Sequence, residues 1–131
     1  MIFILEDNDE RIENFKAALG TIESHVEKTV PESIEWLSEN KQQITLFSLD
    51  NDLYVPDYEG DEGEGWALCE WILANFMKTP VLIHSTNIYA ADKMKALCEQ
   101  AGWQYSEIPP YNGFEWIHES WIQGVCSFIP G

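Results

Sequence analysis

The sequence predicts an α/β fold, a three-layer sandwich in which a five-stranded parallel sheet is covered by helices on both faces. The main observation is that short apolar runs alternate five times with segments of helical periodicity. In addition, several of these runs end abruptly in acidic or polar residues, where a buried strand would leave the core. Strands that alternate with helices in this way favour βα units and a parallel sheet.

The chain begins with an apolar run at residues 2–5, which Glu6 and Asp7 end. A short, bounded apolar run of this kind indicates a strand that is buried on both faces. Asp9 can cap a helix that follows, and Gly20 is suited to stop it. The first unit is therefore a strand with an acidic carboxyl end and a helix after it.

The second and third predicted strands flank another helix. Residues 25–30 are partly polar and predict a weak strand at an edge of the sheet. Pro31 suits the first turn of the helix after it. The third strand lies in the apolar run at residues 44–49, and Asp50 ends it because aspartate is a poor strand residue.

Residues 53–64 are rich in glycine, aspartate and glutamate and lack apolar periodicity, so we expect a long loop. This loop directly follows the third strand, where it could cover the strand end as an acidic lid. Gly65 then begins a helix with an apolar stripe. Residues 81–83 form a fourth buried strand, again because they are apolar and bounded by polar residues.

The last third of the chain predicts two helices and a final strand. Residues 92–101 have helical periodicity, and Gly102 closes that helix. Residues 103–108 form the fifth strand, after which consecutive prolines break the chain. Residues 114–123 are expected to form the last helix. No linker or repeat divides the sequence, so residues 1–131 are expected to form a single domain.

Chain topology predicts where the polar strand ends meet. Right-handed crossovers leave few arrangements, and the commonest small one is the flavodoxin-like order 2-1-3-4-5. In that order the first, third and fourth strands are neighbours, and ligands of open α/β sheets bind at their carboxyl ends. The side chains expected together at this edge are Glu6, Asp7, Asp50, Asp52, His84, Ser85 and Asn87.

Composition limits the classes of partner. The chain has 23 acidic and 7 basic residues and a net charge of -16, which disfavours long nucleic acids and anionic membrane surfaces. No apolar run approaches the roughly 20 residues that span a bilayer, and no targeting signal is evident, so we expect a cytoplasmic protein. The spacing of the cysteines fits no zinc motif, and free, buried thiols are expected at Cys69, Cys98 and Cys126.

The clustered carboxylates predict a divalent cation site. Two like charges about 4 Å apart cost about 4 kcal/mol at an effective dielectric constant of 20, so either one carboxyl keeps a proton or a cation binds. Oxygen ligands without thiolates suit Mg²⁺ or Mn²⁺. The candidate ligands are Glu6, Asp7, Asp50 and Asp52. Alternatively, water and backbone N–H groups satisfy these carboxylates without any ion.

The fourth strand is followed by a different set of polar groups. His84 is the side chain best suited to acid–base chemistry near neutral pH. Ser85, Thr86 and Asn87 precede a helix, and their donors could hold a phosphate together with the N–H groups at the helix start. Ordinary helix capping by these residues is the alternative, and both functions are compatible.

This layout resembles response-regulator receiver domains over nearly the whole chain. The resemblance implies that Glu6 and Asp7 are the metal-binding acidic pair, that Asp50 is at the phospho-acceptor position, and that Ser85 is the hydroxyl after the fourth strand. Receivers also carry a lysine after the fifth strand, and residues 106–110 contain none.

A narrower resemblance is to the cyclic-phosphate-processing receiver-like family. Its members typically read Leu-Asp-His-Asp-Leu and, later, His-Ser-x-Asn. Here residues 48–53 and 83–87 match these motifs, with Gly65 opening a helix between them and Met94 in the next helix. The sequence departs from the family at Asn51, where a histidine is usual. The resemblance implies processing of cyclic phosphate ends of nucleotides or RNA.

Three hypotheses follow. The first is a metal-assisted phosphoesterase-like domain in which Asp50, Asp52 and His84 are catalytic, while the hydroxyl and amide groups of residues 85–87 bind phosphate. Its substrate would be a small phosphate-containing ligand or a nucleotide end. The second is a non-catalytic receiver-like module that binds or regulates a protein partner. The third is a phospho-acceptor regulator that uses Asp50.

Overall fold

The structure, a computed structural model, describes residues 1–52, 64–111 and 113–129. The strands are β1 (Ile2–Leu5), β2 (Ser24–Glu27), β3 (Leu46–Leu49), β4 (Val81–Ile83) and β5 (Tyr105–Glu107). The α-helices are α1 (Asp9–Leu19), α2 (Val30–Glu39), α3 (Gly65–Asn75), α4 (Ile88–Ala101) and α5 (Ile122–Phe128). A 3₁₀ turn at Lys41–Gln43 precedes β3, and a π-helical turn at Ile117–Trp121 leads into α5.

All neighbouring strands are parallel, and their order is β2-β1-β3-β4-β5. This confirms the predicted fold class and strand order. The three central strands are buried along their whole length, while the edge strands β2 and β5 are only partly buried. The weak polar pattern of the predicted second strand therefore reflects its edge position.

Alternate residues along each strand divide the core into two halves. Phe3, Leu5 and Phe47 face a core half that α2, α3 and α4 cover. Ile2 and Ile4 face the other half, which α1, the π-helical turn and α5 cover. Because both faces of the sheet are apolar, the polar side chains near the central strands, apart from Ser48, lie at the strand ends.

Several element boundaries differ from the predicted ones. Helix α1 is capped by Asn8, not Asp9, because the Asn8 side chain accepts the Arg11 N–H at 2.9 Å. Helix α4 begins at Ile88 rather than at Asp92, with Asn87 as its cap. The expected lid falls on residues 53–63, which lie outside the described residues. Cys126 is exposed, which corrects the expectation that all three thiols are buried.

Candidate functional site

The polar strand ends meet as the topology predicts. The register pairs Leu5 with Leu49 across β1 and β3. Pairing continues one residue further, since the Asp50 N–H donates to the Leu5 carbonyl at 3.1 Å and the His84 N–H donates to the Leu49 carbonyl at 3.0 Å. Glu6, Asp50 and His84 therefore leave the sheet side by side.

An acidic cluster formed by Glu6, Asp7 and Asp50 lies at this edge. One carboxylate oxygen of each residue lies within 4.8 Å of the others. Glu6 is fully buried, and its Oε2 accepts the N–H groups of Asp7 and Asn8 at 3.2 Å each. Backbone donors therefore satisfy one oxygen of Glu6, while the other faces the neighbouring side chains.

The acidic cluster lies in the wall of a cleft of about 670 Å³, referred to below as the cleft. Its walls carry carboxylates, a few hydroxyl and amide groups, and, among the described residues, two cations. Lys28 is paired with Asp9 at 2.6 Å, so Arg11 is the cation beside the acidic cluster. The lining residues are Glu6, Asp7, Asn8, Asp9, Arg11, Lys28, Thr29, Glu32, Asp50, Asp52 and Thr86.

Arg11 bridges two of the buried carboxylates. Its Nη1 lies 3.5 Å from Glu6 Oε1 and 3.9 Å from Asp50 Oδ2. Its guanidinium carbon lies 5.6 Å from the centre of the Trp116 ring, within the range of a cation–π contact. The arginine thus offsets part of the negative charge that the acidic cluster concentrates.

The two buried carboxyls have different proton affinities. Burial acts to raise the pKa of Glu6, but its contacts with His84 and Arg11 outweigh burial and hold this pKa below its usual value. Burial, reinforced by the Glu6 carboxylate, raises the pKa of Asp50 to about 7, against the opposing effects of His84 and Arg11. Glu6 is therefore ionised at neutral pH, whereas Asp50 is close to half protonated.

Behind Glu6, the side chains of Trp121, Ser48 and His84 form a row of hydrogen-bonded polar groups in the core, which we call the buried chain. Trp121 Nε1 donates to Ser48 Oγ at 2.9 Å, and Ser48 Oγ bonds to His84 Nδ1 at 2.8 Å. His84 Nε2 lies 3.3 Å from Glu6 Oε1, although the angle does not favour a hydrogen bond. Trp121 ends the π-helical turn, a feature often found at functional sites.

The buried chain fixes the tautomer of a neutral His84. The Trp121 indole can only donate, so the Ser48 hydroxyl accepts from it and keeps its own proton to donate. That proton goes to His84 Nδ1, which leaves the histidine proton on Nε2, facing Glu6. The ring is fully buried and packs against Phe15 at 5.1 Å. The His84 ring is not among the described residues that line the cleft, and its Nε2 lies against Glu6, which does line it.

Asn51, the departure from the family motif, is buried and holds the start of α3. Its backbone carbonyl accepts the Gly65 N–H at 3.0 Å, and its side-chain oxygen accepts the Trp66 N–H at 3.1 Å. Its amide donates to Asp52 at 2.9 Å. A β-carbon on Gly65 would lie 1.8 Å from the Asp50 carbonyl oxygen, so only glycine permits this close approach.

The residues predicted to bind phosphate have two kinds of environment. Ser85 and Asn87 make local capping contacts: Ser85 Oγ accepts the Asn87 N–H at 3.1 Å, and Asn87 Oδ1 accepts the Ala90 N–H at 3.0 Å. The Asn87 amide also donates to Asp52 at 3.1 Å. Thr86 is exposed and lines the cleft. Of these three residues, Thr86 has the hydroxyl that a ligand in the cleft could reach.

Sequence similarity identifies the protein family to which the chain belongs. A family model described as "Cyclic-phosphate processing Receiver domain" matches residues 2–100, which is most of the chain. The chain belongs to this family. The comparison with curated proteins gave no match.

Solved receiver structures share the fold of this receiver. The BeF₃-activated N-terminal receiver domain of RstA from Klebsiella pneumoniae has a TM-score of 0.68 and 16% identity, with 99% of this chain and 98% of that one covered. A CheY-like receiver domain protein from Methanospirillum hungatei has a TM-score of 0.65 and 19% identity, with 96% and 93% covered. The receiver domain of NtrX from Brucella abortus has a TM-score of 0.67 and 16% identity, with 95% and 98% covered.

Receiver domains bind Mg²⁺ at an acidic site, and the acidic cluster of this receiver fits such an ion. Glu6, Asp7 and Asp50 supply only oxygen ligands, which hard divalent cations prefer. Glu6 and Asp7 follow β1 and Asp50 follows β3, so paired strands hold the ligands together. Asp52 lies outside the cluster of three and is bonded to the amides of Asn51 and Asn87.

Sequence reasoning missed Arg11, Ser48 and Trp121. Ser48 had a signal, since it is the single polar residue in the buried strand LFSL. Arg11 lies at the third position of α1, directly after the acidic strand end, but its direction depends on Trp116 from a distant part of the chain. Among the described residues, no helix has both the length and the apolar character to cross a membrane.

Proposed function

We propose that this receiver is a regulatory binding module, which takes up a divalent cation in the acidic cluster and a small phosphate-containing ligand beside it. The observation that carries this proposal is the burial of His84. Both of its ring nitrogens face protein groups, Ser48 and Glu6, and the ring does not line the cleft. A histidine that acts as general acid or base must come within hydrogen-bond reach of the substrate.

The binding side of the proposal rests on the cleft. The acidic cluster would hold Mg²⁺ or Mn²⁺, which would neutralise the carboxylates and attract phosphate oxygens. Thr86 and Arg11 line the same cleft and can donate hydrogen bonds to phosphate. A nucleotide end fits this small, negatively charged protein better than a long nucleic acid does.

The regulatory side rests on the surface next to this cleft. Ile88 and Tyr89 begin α4 directly after Asn87, and they are 72% and 89% exposed. Exposed apolar side chains next to a ligand site suit contact with a protein partner. Ligand binding at Thr86 would then alter the surface that the partner recognises.

A second candidate function is hydrolysis of cyclic phosphates on nucleotides or RNA ends. It is favoured by Asp50, because a pKa of about 7 suits general acid–base catalysis at neutral pH. In that case Asp50 would move the proton, Asp52 would assist at the rim of the cleft, and His84 would act by orienting Glu6.

A metal titration with 2′,3′-cyclic AMP separates the two functions. The binding module predicts that the nucleotide binds only with Mg²⁺ or Mn²⁺, that binding is lost in Asp50→Asn, and that no product forms. Asp92→Asn is the matched control, because Asp92 is exposed and pairs with Lys95 on α4. Product formation that requires Asp50 would favour the esterase. Failure of the parent protein to bind either metal would contradict the binding module.

A further inference from the structure

Arg11 is the cation of the cleft whose present contacts and surroundings point to a further ligand. Lys28, the other described cation of the cleft, has a short ion pair with Asp9 and is half exposed. Arg11 instead contacts the two buried carboxylates of the acidic cluster, at distances of 3.5 and 3.9 Å. These distances are at or beyond the limit of a good hydrogen bond, so the guanidinium keeps donors that can bind another anion.

The base of Arg11 is fixed while its tip can move. Its backbone N–H is bonded to the side chain of Asn8 at 2.9 Å, which anchors it in the first turn of α1. The guanidinium lies over Trp116, and its side chain is 24% exposed. A small rotation about the outer side-chain bonds can therefore redirect the guanidinium without moving the helix.

We propose that Arg11 is a switching phosphate-binding residue: it pairs with Glu6 and Asp50 until a divalent cation binds their carboxylates, and it then binds the phosphate. This inference rests on the proposed function and assigns the residue that couples its two ligands. A divalent cation neutralises two carboxylate charges of the acidic cluster, and Arg11 neutralises the third. The acidic cluster itself then presents no net negative charge to a phosphate, and the planar guanidinium can bind two phosphate oxygens.

The same exchange predicts opposite effects on the two ligands. Arg11 competes with the metal for the carboxylates when phosphate is absent, so the arginine weakens metal binding on its own. Once phosphate is bound, the arginine pairs with its oxygens, and the phosphate charge offsets the repulsion between the arginine and the cation, so the arginine strengthens the complex. Metal and phosphate are therefore positively coupled through Arg11, and the coupling is reciprocal.

The test is Arg11→Gln in the whole protein at low ionic strength. Mn²⁺ affinity is measured from the electron paramagnetic resonance signal of the free ion, and inorganic phosphate affinity at saturating Mg²⁺ by calorimetry. We expect Mn²⁺ to bind at least about threefold more tightly and phosphate at least about tenfold more weakly than in the parent. Lys16→Gln is the matched control, since it removes the same charge from the exposed face of the same helix.

Arg11→Lys provides a second variant, which keeps the charge and loses the planar fork. It should bind phosphate at least about threefold more weakly than the parent, without any gain in Mn²⁺ affinity. Unchanged phosphate affinity in Arg11→Gln, or equal changes in Lys16→Gln, would overturn the role of Arg11 while leaving the binding module intact. Metal binding by Arg11→Gln but not by the parent would support competition by Arg11 and contradict the proposed function of the parent.

Discussion

Glu6 separates two polar regions that the fold holds by different means. On the side of the cleft, its neighbours are Arg11 and Asp50, whose contacts are long and whose site opens to solvent. On the other side lies the buried chain, with hydrogen bonds of 2.8 and 2.9 Å and no exposed side chain. One carboxylate thus connects a loosely held ion cluster with a tightly held polar network.

The difference indicates which property each region determines. Groups in a dry core cost stability when they lose a partner, because no water replaces it. Charges in the cleft can be solvated or bound by a ligand, and their mutual repulsion favours a cation. We therefore expect changes in the buried chain to affect folding, and changes in the cleft to affect ligand binding and the pH dependence of stability.

The largest effect is expected from Asp50→Asn at high pH. The pKa of Asp50 is about 7 in the folded protein, whereas in the unfolded chain it returns to its ordinary value of 3.8. The folded state therefore binds more protons between about pH 4 and 7, and this residue lowers the free energy of unfolding as pH rises through that window. At pH 8 the variant should be more stable than the parent by up to about 4 kcal/mol, with no difference below pH 4.

Urea denaturation across this pH range measures the effect, with Asp92→Asn as the exposed control. Saturating Mg²⁺ should reduce the gain, because the ion stabilises the ionised carboxylate in the parent. A constant difference between parent and variant from pH 4 to pH 8 would contradict the assignment of the proton to Asp50.

Gly65→Ala tests the close approach of α3 to the end of β3 beside Asp50. The added methyl group would lie 1.8 Å from the Asp50 carbonyl oxygen and 2.8 Å from the Asn51 α-carbon, so α3 has to move away from the end of β3. Overpacking against backbone atoms should lower the free energy of unfolding by about 3 kcal/mol. Gly124→Ala is the control, since its nearest atoms are the tips of the Ile108 and Leu82 side chains at 3.3 Å. Equal losses in both variants would count against the close approach.

Ser48→Ala tests the buried chain itself. Removing the hydroxyl leaves Trp121 Nε1 and His84 Nδ1 without a partner in the core, which should cost about 2 to 3 kcal/mol. Ser33→Ala is the control, because Ser33 is equally buried and its hydroxyl donates to the carbonyl of Thr29, the N-cap of its own helix. We expect it to cost less than about 1 kcal/mol. If Ser48→Ala weakened Mn²⁺ binding strongly while leaving the unfolding midpoint unchanged, the division between the two regions would be wrong.

Sequence patterns predicted the fold because local signals and chain topology agree. Apolar runs marked the three central strands, and the order of βα units then determined which strand ends meet. The start of α4 was missed because its first residues, Ile88 and Tyr89, are apolar yet exposed, which hides the helical stripe. The capping signal at Asn87 was present, but it was equally compatible with a phosphate ligand.

Which polar side chains converge at this edge of the sheet was predictable, whereas how deeply each one is buried was not. Glu6, Asp50 and His84 were expected together, since each follows a neighbouring strand. The burial of His84 depends on Phe15 and Trp116, which pack against its ring from distant parts of the chain, and no local pattern reports such contacts. The direction of a long side chain such as Arg11 is likewise set by tertiary packing.

The smallest effect is expected from Asn51→Ala, at the border between the cleft and the core. The side chain caps α3 through the Trp66 N–H and also holds Asp52, so its loss should cost about 1 to 2 kcal/mol of unfolding free energy. Asn40→Ala is the control outside the cleft: it removes an amide that donates to the Trp36 carbonyl at 2.8 Å at the end of α2, and should cost about 1 kcal/mol. Because Asn51 also holds Asp52, its variant alone should change the affinity for 2′,3′-cyclic AMP at saturating Mg²⁺. If stability fell without any change in affinity, Asn51 would only stabilise the start of α3, and Asp52 would have no part in ligand binding.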